Sequence, residues 1–191
     1  MTRSQGTILS TDTPGQPTDV SQSSSSDSAA AGQPPAPPTP SAPEQPNTQL
    51  LVLKDKVQRY LTDLVCAVEI TADGRFTFHD GSTQVSVTCS MWAQDRTVAS
   101  IMAPILLGVP ATSELFEYIA TNANRYLFGH LSALRDDDGT VGVLLTHELL
   151  GDFLDPDELK IAVGSVALTA NDLGDEMKAR FGGKRFHDEV A

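Results

Sequence analysis

The chain has 191 residues and a formal charge of −12. From residue 47 onward, 12 Lys and Arg face 21 Asp and Glu, a net −9 that repels phosphate backbones and argues against nucleic-acid binding. No apolar run approaches the roughly 20 residues of a membrane span, and the longest, 101–109, is broken by Pro104 and Gly108.

Nine of the twelve prolines lie before residue 47, with the serine run Ser23 to Ser26, while every Phe, Trp and Tyr lies after it. A segment without aromatics cannot bury enough surface to offset the entropy of ordering it, so residues 1–46 are expected to form a disordered Ser/Pro-rich tail. The remaining length suits one ordinary domain. No basic-then-apolar leader opens the chain, and a cytosolic protein without membrane insertion is expected.

After Pro46, Asn47 is a plausible helix cap, and Leu50, Leu53, Val57, Tyr60, Leu61 and Leu64 recur at helical spacing. The period then drops to two. Cys66, Val68 and Ile70 alternate with polar or small neighbours, Asp73-Gly74 makes a tight turn, Phe76 and Phe78 alternate with Thr77 and His79, and Asp80-Gly81 makes a second turn. Val85, Val87, Cys89 and Met91 continue the pattern, which gives an antiparallel meander with one buried and one wet face. Trp92 falls on the wet face. Val98 to Met102 is expected to add a fourth strand.

Thr112 opens a second helix carrying Leu115, Phe116, Ile119 and Ala123. Two strands follow, 129–135 and 140–148, joined by the turn 136–139. The last helix has Asp155 as cap, Pro156 in its first turn and Glu158 three residues after the cap. Its stripe is Leu159, Ala162, Val166, Ala170, Leu173 and Met177, and Gly182-Gly183 stops it after some 25 residues, close to 40 Å at about 1.5 Å per residue. The expected fold is α+β, an antiparallel sheet flanked by helices in the order α-β-β-β-(β)-α-β-β-α. Residues 184–191 are expected to form a disordered C-terminal tail.

No catalytic motif is present: no nucleophile elbow, no phosphate-cradling glycine loop and no paired-histidine helix. His79, His130, His147 and His187 are scattered over predicted elements and read as surface or edge histidines. Asp136, Asp137 and Asp138 lack calcium-loop spacing and read as an acidic turn. Cys66 and Cys89 alternate with apolar neighbours and read as buried thiols. No catalytic, cofactor-binding or metal-binding residue is therefore assigned, and no cofactor is expected. Two features invite a binding role: the helices carry more apolar stripe than one side of a small sheet needs, and Trp92 stands on a polar face.

Glu117-Tyr118-Ile119-Ala120-Thr121-Asn122-Ala123-Asn124 leads into Phe128-Gly129-His130-Leu131. Downstream lie the run from Leu149 through Gly151, Asp152, Phe153, Leu154, Asp155 and Pro156 to Leu159, then Ala170-Asn171-Asp172-Leu173 and Arg180-Phe181-Gly182-Gly183. With these motifs, residues 47–183 resemble the YbjN-type domain, a relative of the type III secretion chaperone fold, in the form common in actinobacteria. The resemblance implies a homodimeric, non-enzymatic domain that holds an extended peptide of an unidentified partner protein, and it supplies no individual contact residue. Two other readings stay open: a regulatory adaptor whose tail is the active part and whose domain only dimerises, and a small-ligand domain or enzyme without a recognisable motif.

Overall fold

The computed structural model of the chain describes residues 47–93 and 95–190. The tail expected over 1–46 lies outside the described residues. Helix α1 (Thr48–Leu64) begins where Asn47 accepts the Gln49 N–H at 2.9 Å, and it buries Leu53, Val57 and Leu61, the centre of the expected stripe. Strands β1 (Glu69–Ile70), β2 (Phe76–Asp80), β3 (Thr83–Ala93) and β4 (Arg96–Val109) follow, then α2 (Ser113–Asn122), β5 (His130–Arg135), β6 (Val141–Leu150), α3 (Pro156–Phe181) and α4 (Phe186–Val190). All six strands form one antiparallel sheet in the order β1-β2-β3-β4-β6-β5. Among the described residues no helix is long and apolar enough to cross a membrane.

The two faces of the sheet follow from the alternation of side chains. On β3, Val85, Val87 and Cys89 are buried, as are Ala99, Ile101 and Ala103 on β4 and Leu145 and Leu149 on β6. This inner face receives α3 and α1. All six stripe positions of α3 are buried, and Asp155 accepts the Glu158 N–H at 2.8 Å as its cap. Asn171 pins α3 to the β2–β3 turn, accepting from Ser82 N–H at 2.8 Å and donating to Asp80 O at 3.0 Å. Arg180 ties α3 to α2 through Glu114 at 2.9 Å, its guanidinium stacked over the rings of Tyr118 and Phe181.

The structure differs from the sequence reading in four places. β4 runs for 14 residues instead of five. Its pairing with β6 shifts between Pro104 and Leu106 and again before Val109, so bulges absorb the missing proline N–H and the positive φ of Gly108 (61°). The first strand is only Glu69–Ile70, because the segment leaving α1 joins the sheet late, and Cys66 is exposed rather than buried. Phe116, expected in the apolar stripe of α2, is 37% exposed, and Tyr118 takes the buried place.

The fourth correction concerns 184–190, where the structure describes a bonded strap and helix α4 in place of the expected disordered tail. Lys184 and Leu107 exchange backbone hydrogen bonds at 2.9 and 2.7 Å, His187 N–H donates to Ser82 O, Lys178 reaches Asp188 at 2.8 Å, and the Phe186 ring lies 5.7 Å from that of His79. The folded unit therefore extends past Gly183 to Val190.

The cysteines give a direct check. Burial pushes the Cys89 thiol up to about 11, offset only slightly by Lys54, whereas Cys66 stands in solvent. At pH 8 only the thiolate reacts quickly with an alkylating reagent. Native protein should therefore react fast at Cys66 alone, with Cys89 following on unfolding; two fast-reacting thiols in the native state would contradict the placement.

Candidate functional site

The second face of the sheet is open. Pairing sets Leu150, Val98 and Ser90 side by side across β6, β4 and β3. A parallel row holds His130, Thr146, Met102, Ser86 and Thr77, and a third holds Ser132, Leu144 and Pro104. Most of these side chains are half-buried, and Leu150 and Leu134 are 50% and 59% exposed. The surface mixes aliphatic groups with small hydroxyls. His130 and Glu148, 4.0 Å apart on this face, are half-exposed on both sides, and their contact contributes little.

One margin of this face is the free side of β5. The Leu131 N–H donates to Ala123 O at 3.2 Å, away from β6. Backbone groups alternate sides along an antiparallel strand, so those of Ala133 and Arg135 also face away from β6. Ala133, Leu134 and Arg135 are exposed, and among the described residues no strand pairs with this edge. The edge carries no proline or bulge, two of the usual devices that blunt such a template. At the opposite margin β1 covers only Phe76 and Thr77. The rest of β2 borders a groove of about 400 Å³ lined by Val65, Cys66, Phe78 and His79 among others.

A third feature lies at the end of the sheet where α1 starts. Gly151 N–H donates to Thr97 O at 2.8 Å, and Thr97 Oγ1 and Arg96 both donate to the Asp152 carboxylate, at 2.9 and 3.3 Å. The Thr97 hydroxyl, and secondarily Arg96, hold the Asp152 carboxyl below the usual carboxylate range. A side chain at Gly151 would place its Cβ 2.5 Å from Thr97 Oγ1 and 2.6 Å from Leu53, so only glycine lets α1 come this near. A cleft of about 250 Å³ remains between Val52, Leu53 and Lys56 on one side and Thr97, Gly151 and Asp152 on the other. Val52 in its wall is 52% exposed, and Phe153, which follows Asp152, and Trp92, which follows the Thr97 partner Met91, are 72% and 69% exposed.

The residues weighed as possible chemistry stay apart. His79 is on the open face by Phe186, His130 begins β5, His147 points to the inner side with its ring 5.6 Å from Phe128, and His187 is on α4. Among the described residues no three His, Cys, Asp or Glu side chains gather as a metal-binding set. Asp138 accepts from Thr140 N–H and Oγ1 at 2.9 and 2.7 Å, and these bonds lower its pKa and close the acidic turn.

The exposure of Trp92 was legible in the sequence, although the residue falls at the register shift between Met91 and Ala93, where alternation is interrupted. Leu150, Val52 and Phe153 were not, because β6 runs two residues past its expected end and the cleft joins segments about 100 residues apart. The quoted motifs are otherwise architectural: Asp152 closes the β4 junction, Asp155 caps α3 and Asn171 pins the hairpin. Within them Leu150 and Phe153 stand out by their exposure.

A family model described as T3SS (YopN, CesT) and YbjN peptide-binding chaperone 1 matches residues 52–189. No curated protein matches. Among solved structures, the Yersinia pestis type III secretion chaperone SycH in complex with a stable fragment of YscM2 is similar, at 19% identity and a TM-score of 0.41, over 63% of this chain and 98% of that one. The HopA1-SchA chaperone-effector complex is similar at 12% identity and a TM-score of 0.47, over 68% and 98%.

Proposed function

The chain belongs to the T3SS (YopN, CesT) and YbjN peptide-binding chaperone family, and from that premise we propose that it holds an extended segment of a partner protein. The observation that carries this reading is the free β5 edge beside a half-apolar open face. An extended segment would pair its backbone with Ala133 and Arg135 and lay alternate side chains onto the sheet. No catalytic step is part of this reading. The open face, which mixes Met102, Leu144 and Leu150 with hydroxyl groups, also offers the surface that a second copy would bury, and we read the working unit as a homodimer. A cytosolic setting, where an exposed thiol such as Cys66 stays reduced, completes the proposal.

Ordering a flexible client consumes part of the interaction energy, so micromolar dissociation constants, about −8 kcal/mol, are expected. Ala133→Pro is the selective test. It deletes an N–H that faces away from β6, leaving the β5–β6 ladder intact. Fluorescence anisotropy with labelled extended peptides should show affinity reduced about tenfold or more while the melting temperature changes little. Undiminished binding by a folded Ala133→Pro protein would remove β5 from the site.

A further inference from the structure

We propose that the cleft between α1 and the Thr97–Asp152 junction is an anchor pocket for one large apolar side chain of a basic client segment. The inference rests on the peptide-binding reading and adds the chemistry of the client. At about 250 Å³ the cleft is smaller than the roughly 300–1,000 Å³ typical of small-molecule sites, and it suits a single side chain better than a whole ligand. Val52 and Leu53 supply an apolar wall, and two exposed aromatic residues adjoin the cleft in the chain: Phe153 directly after Asp152, and Trp92. Trp92 follows Met91, the β3 partner of Thr97 in the cleft. Aromatic groups exposed around a pocket are characteristic of protein–protein contacts.

Charge selects the occupant. Asp95, Asp152, Asp155, Asp157 and Glu158 lie at this end of the sheet or on the first turn of α3, against Lys56, Arg96 and Lys160. Arg96 is already turned to Asp95 and Asp152, at 3.9 and 3.3 Å. The cleft itself is lined by Lys56 and the paired Asp152, and the excess of carboxylates an incoming segment meets lies beside it, at Asp95 and on the first turn of α3. Lysine or arginine flanking a Phe or Leu anchor complements it, and an acidic segment is repelled. A second copy of this chain would bring the same carboxylates and is disfavoured here on the same ground.

The molecule carries its own reporter, because Trp92 is its single tryptophan. The probe is a short peptide of alternating lysine and valine with one central phenylalanine, added to the full chain. Binding should shift Trp92 emission to the blue. Replacing the central phenylalanine with alanine, or the lysines with glutamate, should weaken binding at least about tenfold. Val52→Ser with Phe153→Ser, at exposed positions and with no charge change, should do the same, while Leu168→Ser, at an exposed position on α3 outside both the cleft and the β5 edge, should not. If both peptide charges bind alike, or if Val52→Ser/Phe153→Ser binds as well as wild type while Ala133→Pro does not, the anchor is wrong and the peptide-binding reading stands. If no peptide binds, both fall. A blue shift that grows with protein concentration alone would make this end a self-interface and overturn the proposal.

Discussion

Val166→Asp is expected to abolish folding of the domain. Val166 is fully buried at mid-length on α3, in the layer that packs on β3, β4 and β6. The buried core to which it belongs includes Ile101, Ala103 and Leu145. A carboxylate placed there loses its hydration without gaining a partner, and the cost after relaxation is several kcal/mol, with the lost valine packing added. A domain of this size has about 5–15 kcal/mol in total, so most of the stability disappears. Circular dichroism melts should show no cooperative transition near the wild-type temperature. Val166→Ala, which only removes methyl groups, should fold with a loss of about 2 kcal/mol. A Val166→Asp protein melting within a few degrees of wild type would contradict the burial of this face of α3.

Removing residues 184–191 is the second large effect, and its sign opposes what composition alone suggests. The truncation deletes the paired backbone bonds between Lys184 and Leu107, the Phe186 contact with His79, and the ion pairs of Lys178 with Asp188 and Arg185 with Asp175. Two backbone bonds contribute about 1 kcal/mol each and a partly buried phenylalanine about 1, while the exposed ion pairs add little. A loss of ~3 kcal/mol, roughly 10 °C in melting temperature, is expected. The strap is held closely at its root: Gly183 has a φ of 81°, and a Cβ there would lie 2.7 Å from Val109 Cγ2 and 2.8 Å from Leu107 O. Gly183→Val should therefore reproduce much of the loss by itself. Unchanged melting of the truncated chain would return 184–191 to the status of a tail.

The strap also marks the limit of what the sequence conveys. Helix α3 was fully legible, since its cap, first-turn proline, stripe and stop are local signals, and the 26 residues observed match the spacing. The hairpins at Asp73-Gly74 and Asp80-Gly81 were legible for the same reason. β4 was cut short because Pro104 and Gly108 are breakers by local chemistry, and only pairing with both β3 and β6, with bulges, carries the strand through them. Residues 184–190 carry no periodic pattern and are bonded to Leu107 and Ser82, which are distant in sequence. Cys66 was misplaced because alternation alone does not tell where a strand joins its neighbour.

The candidate site shows the same division. The wet face could be read from a period of two. The β5 edge is a property of strand order, which the local pattern leaves undetermined, since β5 becomes an edge only because β6 pairs with β4. The cleft requires Gly151 to admit Leu53, a contact between α1 and the end of β6 that no local motif encodes.

Amide hydrogen exchange on the wild-type chain, with and without saturating extended peptides, tests the central claim most directly. The amides of Ala133 and Arg135 face away from β6 and are open to solvent in the free protein, so they should exchange fast alone and slow markedly when a peptide strand pairs with β5. The β4 amides, already paired on both sides, should change little. Slowing confined to β5 and the neighbouring open face is the result this account predicts. Exchange at Ala133 and Arg135 that stays fast with every peptide, in protein that is folded throughout, would contradict it.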